Sequence, residues 1–113
     1  MVDERRKHAR IEIQSASLLV RDIVEGNDLG IVGNLSAGGM MLIANRELFQ
    51  DGILQLSIEG ESPKSSIPIG VRVLWSAPAH SPDEHWAGLE IIDISEAAST
   101  ELAQLLTNLQ QAG

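Results

Sequence analysis

The segment from Ile67 to Trp75 constrains the fold most, because every second residue in it is large and apolar. This is the two-residue period of a strand with one buried face, formed by Ile67, Ile69, Val71, Val73 and Trp75. Pro68 in the same segment marks a strand start or an edge. We expect the apolar face, including Trp75, to lie in a core.

Other parts of the chain also have strand character and are separated by turn clusters. The predicted strands are 11–22, 29–35, 40–44, 53–59 and 86–93, with loops at 25–28, 36–39, 60–66 and 76–85. Gly88 inside the last strand predicts a bulge or a close backbone approach. Six short strands with tight turns predict an all-β fold, either a small antiparallel barrel or a sandwich.

The period changes after Ser95, which is a candidate helix N-cap. Leucines then recur at helical spacing, at positions 102, 105, 106 and 109. We expect one amphipathic helix that lies against the sheet or against a partner. A chain of 113 residues has room for one domain, divided into a basic arm at 1–10 and a body at 11–113.

Charge is distributed unevenly along the chain. The first ten residues carry four basic and two acidic side chains, a charge of +2, and the rest carry four basic and fourteen acidic ones, a charge of −10. Such an acidic body, with no tyrosine and few other aromatics, argues against binding to DNA, RNA or an anionic membrane. No secretion signal or membrane span is visible, so we expect a cytoplasmic protein. The absence of cysteine is compatible with a reducing compartment but does not establish one, because many exported proteins also lack the residue.

Two short motifs could serve one ligand. Arg6 and Arg10 are two guanidiniums four residues apart, and Asn34, Ser36 and Gly39 form an N-x-S-x-x-G pattern on a strand-to-strand turn. Guanidiniums bind phosphates and the edge of guanine in bidentate fashion and stack on purines. Asn34 and Ser36 could orient such a ligand, while Gly39 permits a positive φ or a close approach of backbone. Each motif alone is weak, and an ordinary exposed arm and an ordinary tight turn are the alternatives.

Together and in this order, the motifs resemble the PilZ domain family over roughly residues 4–110. The strand ending in Val-Leu-Trp75 and the Trp86-Ala-Gly-Leu89 strand before a final helix support the resemblance. It implies a six-stranded antiparallel β-barrel with a C-terminal helix, and a bacterial receptor for cyclic diguanylate (cyclic di-GMP). The five motif positions named above match the family's ligand-binding residues, and Asn34 stands at a position where the family's pattern admits Asp or Asn.

The resemblance suggests a mechanism in which the arm closes over the nucleotide. We predict that residues 3–10 are mobile without ligand and become ordered when Arg6 and Arg10 engage it, which changes the surface offered to a protein partner. Arg5 could bind or stack on a second nucleotide. The alternatives are an adaptor that binds no nucleotide and, with less support, an enzyme acting on cyclic dinucleotides. We expect neither catalysis nor a cofactor.

A few other residues are candidates for metal binding, catalysis or ligand contact. His80, Asp83, Glu84 and His85 carry potential metal-ligating groups, but their spacing matches no zinc or calcium pattern. No histidine is spaced from Ser36 in a way that suggests a catalytic pair, which argues against Ser36 as a nucleophile. Arg72 is expected to face solvent, with the ligand as its alternative, and the role of Trp86 is open.

Overall fold

The computed structural model describes residues 11–12, 18–61 and 64–112. The strands are β1 (Ile11–Glu12), β2 (Leu18–Asp22), β3 (Asn27–Leu35), β4 (Gly39–Ala44), β5 (Ile53–Glu61), β6 (Lys64–Pro78) and β7 (His85–Asp93), and they precede the helix α1 (Glu96–Ala112). The predicted strands are confirmed where they are described, and β6 extends beyond the predicted segment at both ends because its backbone pairs throughout.

The strands β2 to β7 form a closed antiparallel barrel. Their order is β3, β2, β5, β6, β7, β4, and β4 pairs again with β3 to close the ring. β1 is a short addition that pairs with the end of β3. The expected six-stranded barrel is therefore confirmed, and closure leaves little unpaired strand edge.

The barrel interior contains the apolar side chains predicted from alternation. Ile67, Ile69, Val71 and Val73 of β6 are all buried. The opposite walls contribute further fully buried residues, namely Val20, Leu29, Val32, Leu35, Met40, Leu42, Leu56, Ile58 and Leu89. Pro68 lies in the part of β6 that pairs with β5 but is not paired with β7, which fits an edge position.

The prediction that Trp75 lies in the core is wrong. The strand register shifts between Val73 and Trp75, so Leu74 forms an irregularity and the alternation breaks. Trp75 consequently points outward and is 40% exposed. Its indole covers Gly88 of β7, where a Cβ would overlap the ring nitrogen. The glycine predicted a bulge or a close approach of backbone; the close neighbour observed is the Trp75 side chain, and the bulge lies in the facing strand β6.

Helix α1 closes the chain as the leucine spacing predicted. The Ser95 hydroxyl accepts a hydrogen bond of 3.0 Å from the backbone N–H of Ala98, the geometry of an N-cap. Leu102 is buried, and Leu105, Leu106 and Leu109 are half-buried against the core. The helix contacts β6 and β1. Within the described ranges, no helix is long and apolar enough to cross a membrane.

The antiparallel strand order gives the barrel two ends. The turn between β3 and β4 lies at one end, which we call the motif end. The β2–β3 turn (residues 23–26), the β4–β5 connection (residues 45–52) and the β6–β7 connection (residues 79–84) lie at the other, which we call the loop end. The second predicted motif, Asn34 to Gly39, therefore lies at the motif end.

Candidate functional site

The turn between β3 and β4 is built around Ser36, whose side chain is buried. Its backbone N–H donates to the carbonyl of Gly39 at 2.9 Å, and its hydroxyl donates to the same oxygen at 3.3 Å. The hydroxyl also accepts from the N–H of Gly38 at 3.2 Å. These bonds fix the turn from within, and a hydroxyl has one further lone pair with which to accept a hydrogen bond.

Gly39 is required for packing and not for an unusual backbone angle. A Cβ at this position would overlap the carbonyl oxygen of Leu89 in β7. Among the described residues, positive φ angles occur at Gly26 and Asp51 and not at Gly39. The N–H of Ile91 donates to the carbonyl of Gly38 at 2.9 Å, so β7 holds the turn from the side. Of the two reasons predicted for a glycine here, close approach is the one observed.

Asn34 lies at the end of β3 and is half-buried beside this turn. The pairing of β3 with β4 shifts between Val32 and Asn34, so Gly33 and Asn34 together oppose Met41. Such a bulge re-aims the side chains that follow it. Leu35 remains inside the barrel, and Asn34 falls on the outer side with Met41.

β1 follows the arginine motif in the sequence and pairs with the strand that carries the second motif. Ile11 pairs with Leu35, and Glu12 pairs with Asn34. Ile11 directly follows Arg10 in the sequence, so the first motif ends where the strand beside the second motif begins. Arg5, Arg6 and Arg10 themselves lie outside the described residues, and so does the predicted ordering of residues 3–10.

Outside the barrel, a half-buried apolar surface adjoins Asn34. Trp86 packs against Gly33, with its Cζ3 atom 3.5 Å from where a Cβ would be. Met41 pairs with Gly88, which lies under the indole of Trp75. Asn34 therefore borders a surface of two tryptophans and a methionine. Gly33 and Gly88, two glycines inside strands, are the sequence signals for this arrangement.

Arg72 is on the outer face and half-exposed, as expected. Its Nη2 atom lies 2.8 Å from Oε1 of Glu90, the residue directly opposite in β7. Glu90 is in turn opposite Gly39 in β4. The Arg72 guanidinium thus offsets the carboxylate that stands beside the turn.

The other sequence candidates lie apart from this turn. His80, Asp83 and Glu84 are in the β6–β7 connection at the loop end, and His85 begins β7. The Glu84 N–H donates to the carbonyl of Ser81 at 3.1 Å, and the Ala79 N–H to the carbonyl of Glu84 at 2.9 Å. Within the described part of the chain, no three histidine or acidic side chains form a group that could hold a metal ion.

Comparison with known protein families gives one match over most of the chain. The sequence profile of the PilZ domain matches residues 4–108. A comparison with curated proteins finds no significant relative.

Several solved structures have a similar fold, and three of them illustrate the likeness. The inhibitor of motility MotI/DgrA of Bacillus subtilis has a TM-score of 0.73 and 22% identity, over 97% of this chain and 53% of its own. The PilZ domain of YcgR from Escherichia coli, solved with c-di-GMP, has a TM-score of 0.75 and 14% identity, over 96% and 94%. The MrkH–c-di-GMP complex of K. pneumonia has a TM-score of 0.76 and 15% identity, over 98% and 55%. The chain thus spans about half the length of MotI/DgrA and MrkH.

Proposed function

Because this chain belongs to the PilZ domain family, we propose that it is a receptor for cyclic di-GMP without catalytic activity of its own. The observation that carries the proposal is the pairing of Glu12 with Asn34, since it joins the strand after the arginine motif to the strand that carries the second motif. The YcgR domain and MrkH, two proteins of the same fold, were solved with this nucleotide.

In this proposal the two motifs hold one ligand. Arg6 and Arg10 bind its phosphates and guanine edges through paired hydrogen bonds, which a guanidinium forms more readily than an ammonium. Asn34 orients a base through its amide, and the remaining lone pair of the Ser36 hydroxyl accepts from the ligand. Gly39 keeps β4 close to β7, which fixes the turn that carries Ser36 and follows Asn34.

In this proposal, the basic arm at residues 1–10 changes when the nucleotide binds. The body of the chain is strongly acidic, so binding a dianion there requires the positive charge of residues 1–10. We propose that residues 3–10 become ordered over the nucleotide and change the surface that a partner protein meets. Amide exchange in these residues should slow when cyclic di-GMP is added. Equal exchange with and without it would contradict this step.

Arg5 extends the proposal to a second nucleotide, stacked on the first. Titration calorimetry should then give two nucleotides per chain for the wild type and one for Arg5→Ala. A stoichiometry of one that Arg5→Ala leaves unchanged would remove the second nucleotide and leave the receptor function intact.

Calorimetry also tests the receptor function itself. We expect the wild type to bind cyclic di-GMP, and Arg6→Ala and Ser36→Ala to lose at least about tenfold in affinity, the scale of one lost charge-assisted or buried hydrogen bond. Arg21→Ala is the matched control, because Arg21 is an exposed arginine that pairs with Asp28 at the loop end. Absence of binding by the wild type would favour the adaptor alternative. Product analysis after incubation with the nucleotide tests for catalysis.

A further inference from the structure

Large apolar side chains are exposed together at the loop end of the barrel. They are Ile23, Val24, Phe49, Ile53 and Leu74. Phe49, the one phenylalanine of the chain, is 81% exposed, and Val24 is 78% exposed. Single exposed apolar residues are ordinary, whereas a group of them marks a contact surface.

Backbone hydrogen bonds bring the segments that carry these residues together. The N–H of Ile23 donates to the carbonyl of Gln55 at 3.0 Å, which places the β2–β3 turn beside β5. The N–H of Asp51 donates to the carbonyl of Val73 at 2.7 Å, which places the β4–β5 connection beside β6. Exposed apolar residues from three parts of the sequence therefore share one end of the barrel.

A groove of about 330 Å³ opens between these segments. Phe49, Leu54 and Val73 line its apolar part, and Glu25, Arg46 and Glu47 line its polar part. We call it the loop-end groove. Its volume fits one or two large apolar side chains of a partner.

Asp22 holds the groove in shape. Its buried carboxylate accepts hydrogen bonds of 3.0 Å from the N–H groups of both Val24 and Glu25. It also accepts one of 3.4 Å from Nη2 of Arg46, in the β4–β5 connection. A surface that is fixed before binding loses little conformational entropy when a partner docks.

The rim of the groove is acidic. Its charged lining residues are Glu25, Glu47 and one basic residue, Arg46, and Asp51 is next to the lining residue Gly52 in the sequence. Arg46 is engaged by Asp22 and lies 3.9 Å from Glu25. Glu47 and Asp51 are exposed and form no ion pair within the ranges that the structure describes. The charge left for a partner is therefore negative.

We infer that the loop-end groove docks a basic amphipathic segment of a partner protein. Its apolar side chains would fill the groove beside Phe49 and Leu54, and its lysines or arginines would meet Glu25 and Glu47. A second copy of this chain fits less well, because two acidic rims would face each other at a net charge of −8 per chain. The inference goes beyond the proposed function, since it names a partner surface at the end of the barrel away from the motifs.

A synthetic peptide of alternating leucine and lysine is the probe, and no nucleotide is added. Two peptides of equal length serve as controls, one with glutamate for lysine and one with serine for leucine. Anisotropy of the labelled peptides measures affinity, and amide chemical shifts of the full chain locate the contact. We expect only the leucine–lysine peptide to bind, with shifts concentrated in residues 23–25, 46–54 and 73–74.

Variants test the named side chains. Phe49→Ser and Glu47→Lys should each weaken peptide binding at least about fivefold, the effect of losing an interface residue that matters. Ile92→Ser and Glu101→Lys are the controls, because they change an exposed apolar and an exposed acidic residue elsewhere and should bind as the wild type does.

The inference is overturned if the leucine–lysine peptide does not bind, if the glutamate peptide binds equally well, or if the shifts lie elsewhere. It is also overturned if Phe49→Ser and Glu47→Lys bind as the wild type does, or if sedimentation shows a dimer of this chain that Phe49→Ser disrupts. None of these outcomes touches calorimetry with cyclic di-GMP, so failure here is distinct from failure of the receptor function.

Discussion

Asn34 lies directly opposite Glu12 in the antiparallel pair of β1 and β3. Ser36, two residues after Asn34, closes the turn by hydrogen bonds to the carbonyl of Gly39. The second motif is therefore both a structural turn and the neighbour of the strand that follows the arginine motif. Because of this double role, a substitution here can alter the turn, the proposed binding of ligand, or both.

Replacing the arginines by lysine should weaken binding even though the charge is kept. Arg6→Lys and Arg10→Lys each lose the planar pair of donors that matches a phosphate or the edge of guanine. We expect at least about a tenfold rise in the Kd for cyclic di-GMP, measured by calorimetry, with the free energy of unfolding unchanged. Wild-type affinity in both lysine variants would show that only the charge of the arm matters.

Gly39→Ala should destabilise the fold by about 1–3 kcal/mol, because its methyl group overlaps the Leu89 carbonyl and the strands must move apart. Gly30→Ala is the matched control, since its Cβ would overlap the Ile43 carbonyl between β3 and β4 in the same way. Urea unfolding should show similar losses for both. Only Gly39→Ala should also weaken binding of cyclic di-GMP in the fraction that remains folded, and equal weakening in Gly30→Ala would argue against a local effect.

Glu59 gives the stability a defined acid dependence. Hydroxyl donors at 2.7 Å from Ser66 and 2.8 Å from Ser57 hold the pKa of Glu59 below its ordinary value of 4.5. The Glu59 carboxylate binds a proton more readily in the unfolded chain than in the folded one. Its contribution to the free energy of unfolding is therefore complete above about pH 4.5, and it is lost as the pH falls through the lower pKa of the folded state.

Glu59→Gln should therefore flatten the fall in unfolding free energy on acidification below about pH 5, and Ser66→Ala should flatten it in part. Urea unfolding at a series of pH values measures both. An acid profile in Glu59→Gln identical to that of the wild type would contradict the assignment.

Leu102 anchors the helix to the barrel. Leu102→Ala should cost about 2–4 kcal/mol, because the leucine is 2% exposed and its removal leaves a cavity between α1 and the sheet. Leu109→Ala should cost less, since Leu109 is only half-buried near the end of α1. Equal costs in urea unfolding would mean that the helix packs evenly along its length.

The sequence predicted the strands, the capped helix and the core wherever local periodicity decides the outcome. Alternation placed Ile67 to Val73 inside the barrel, and the leucine spacing placed α1 against it. Alternation gave the wrong side for Trp75, because the irregularity at Leu74 depends on how β6 pairs with β7. The residue pattern of one strand does not show how that strand pairs with its neighbour.

The site was predicted to a different extent. Gly39 was identified from the motif, and the motif allowed two reasons for a glycine, a positive φ or a close approach of backbone. The distance to Leu89 in another strand decided between them, and the sequence does not contain that distance. The loop-end groove was not predicted at all. It forms from separate segments with no shared motif, which only the closed barrel brings together.

The most direct test of the account maps the nucleotide onto the chain. Amide chemical shifts of the labelled protein should change on addition of cyclic di-GMP, with the largest changes in residues 5–12 and 34–39 and none in residues 45–54. Changes confined to other residues, or no changes at saturating nucleotide, would contradict the claim that the two motifs bind one ligand at the motif end.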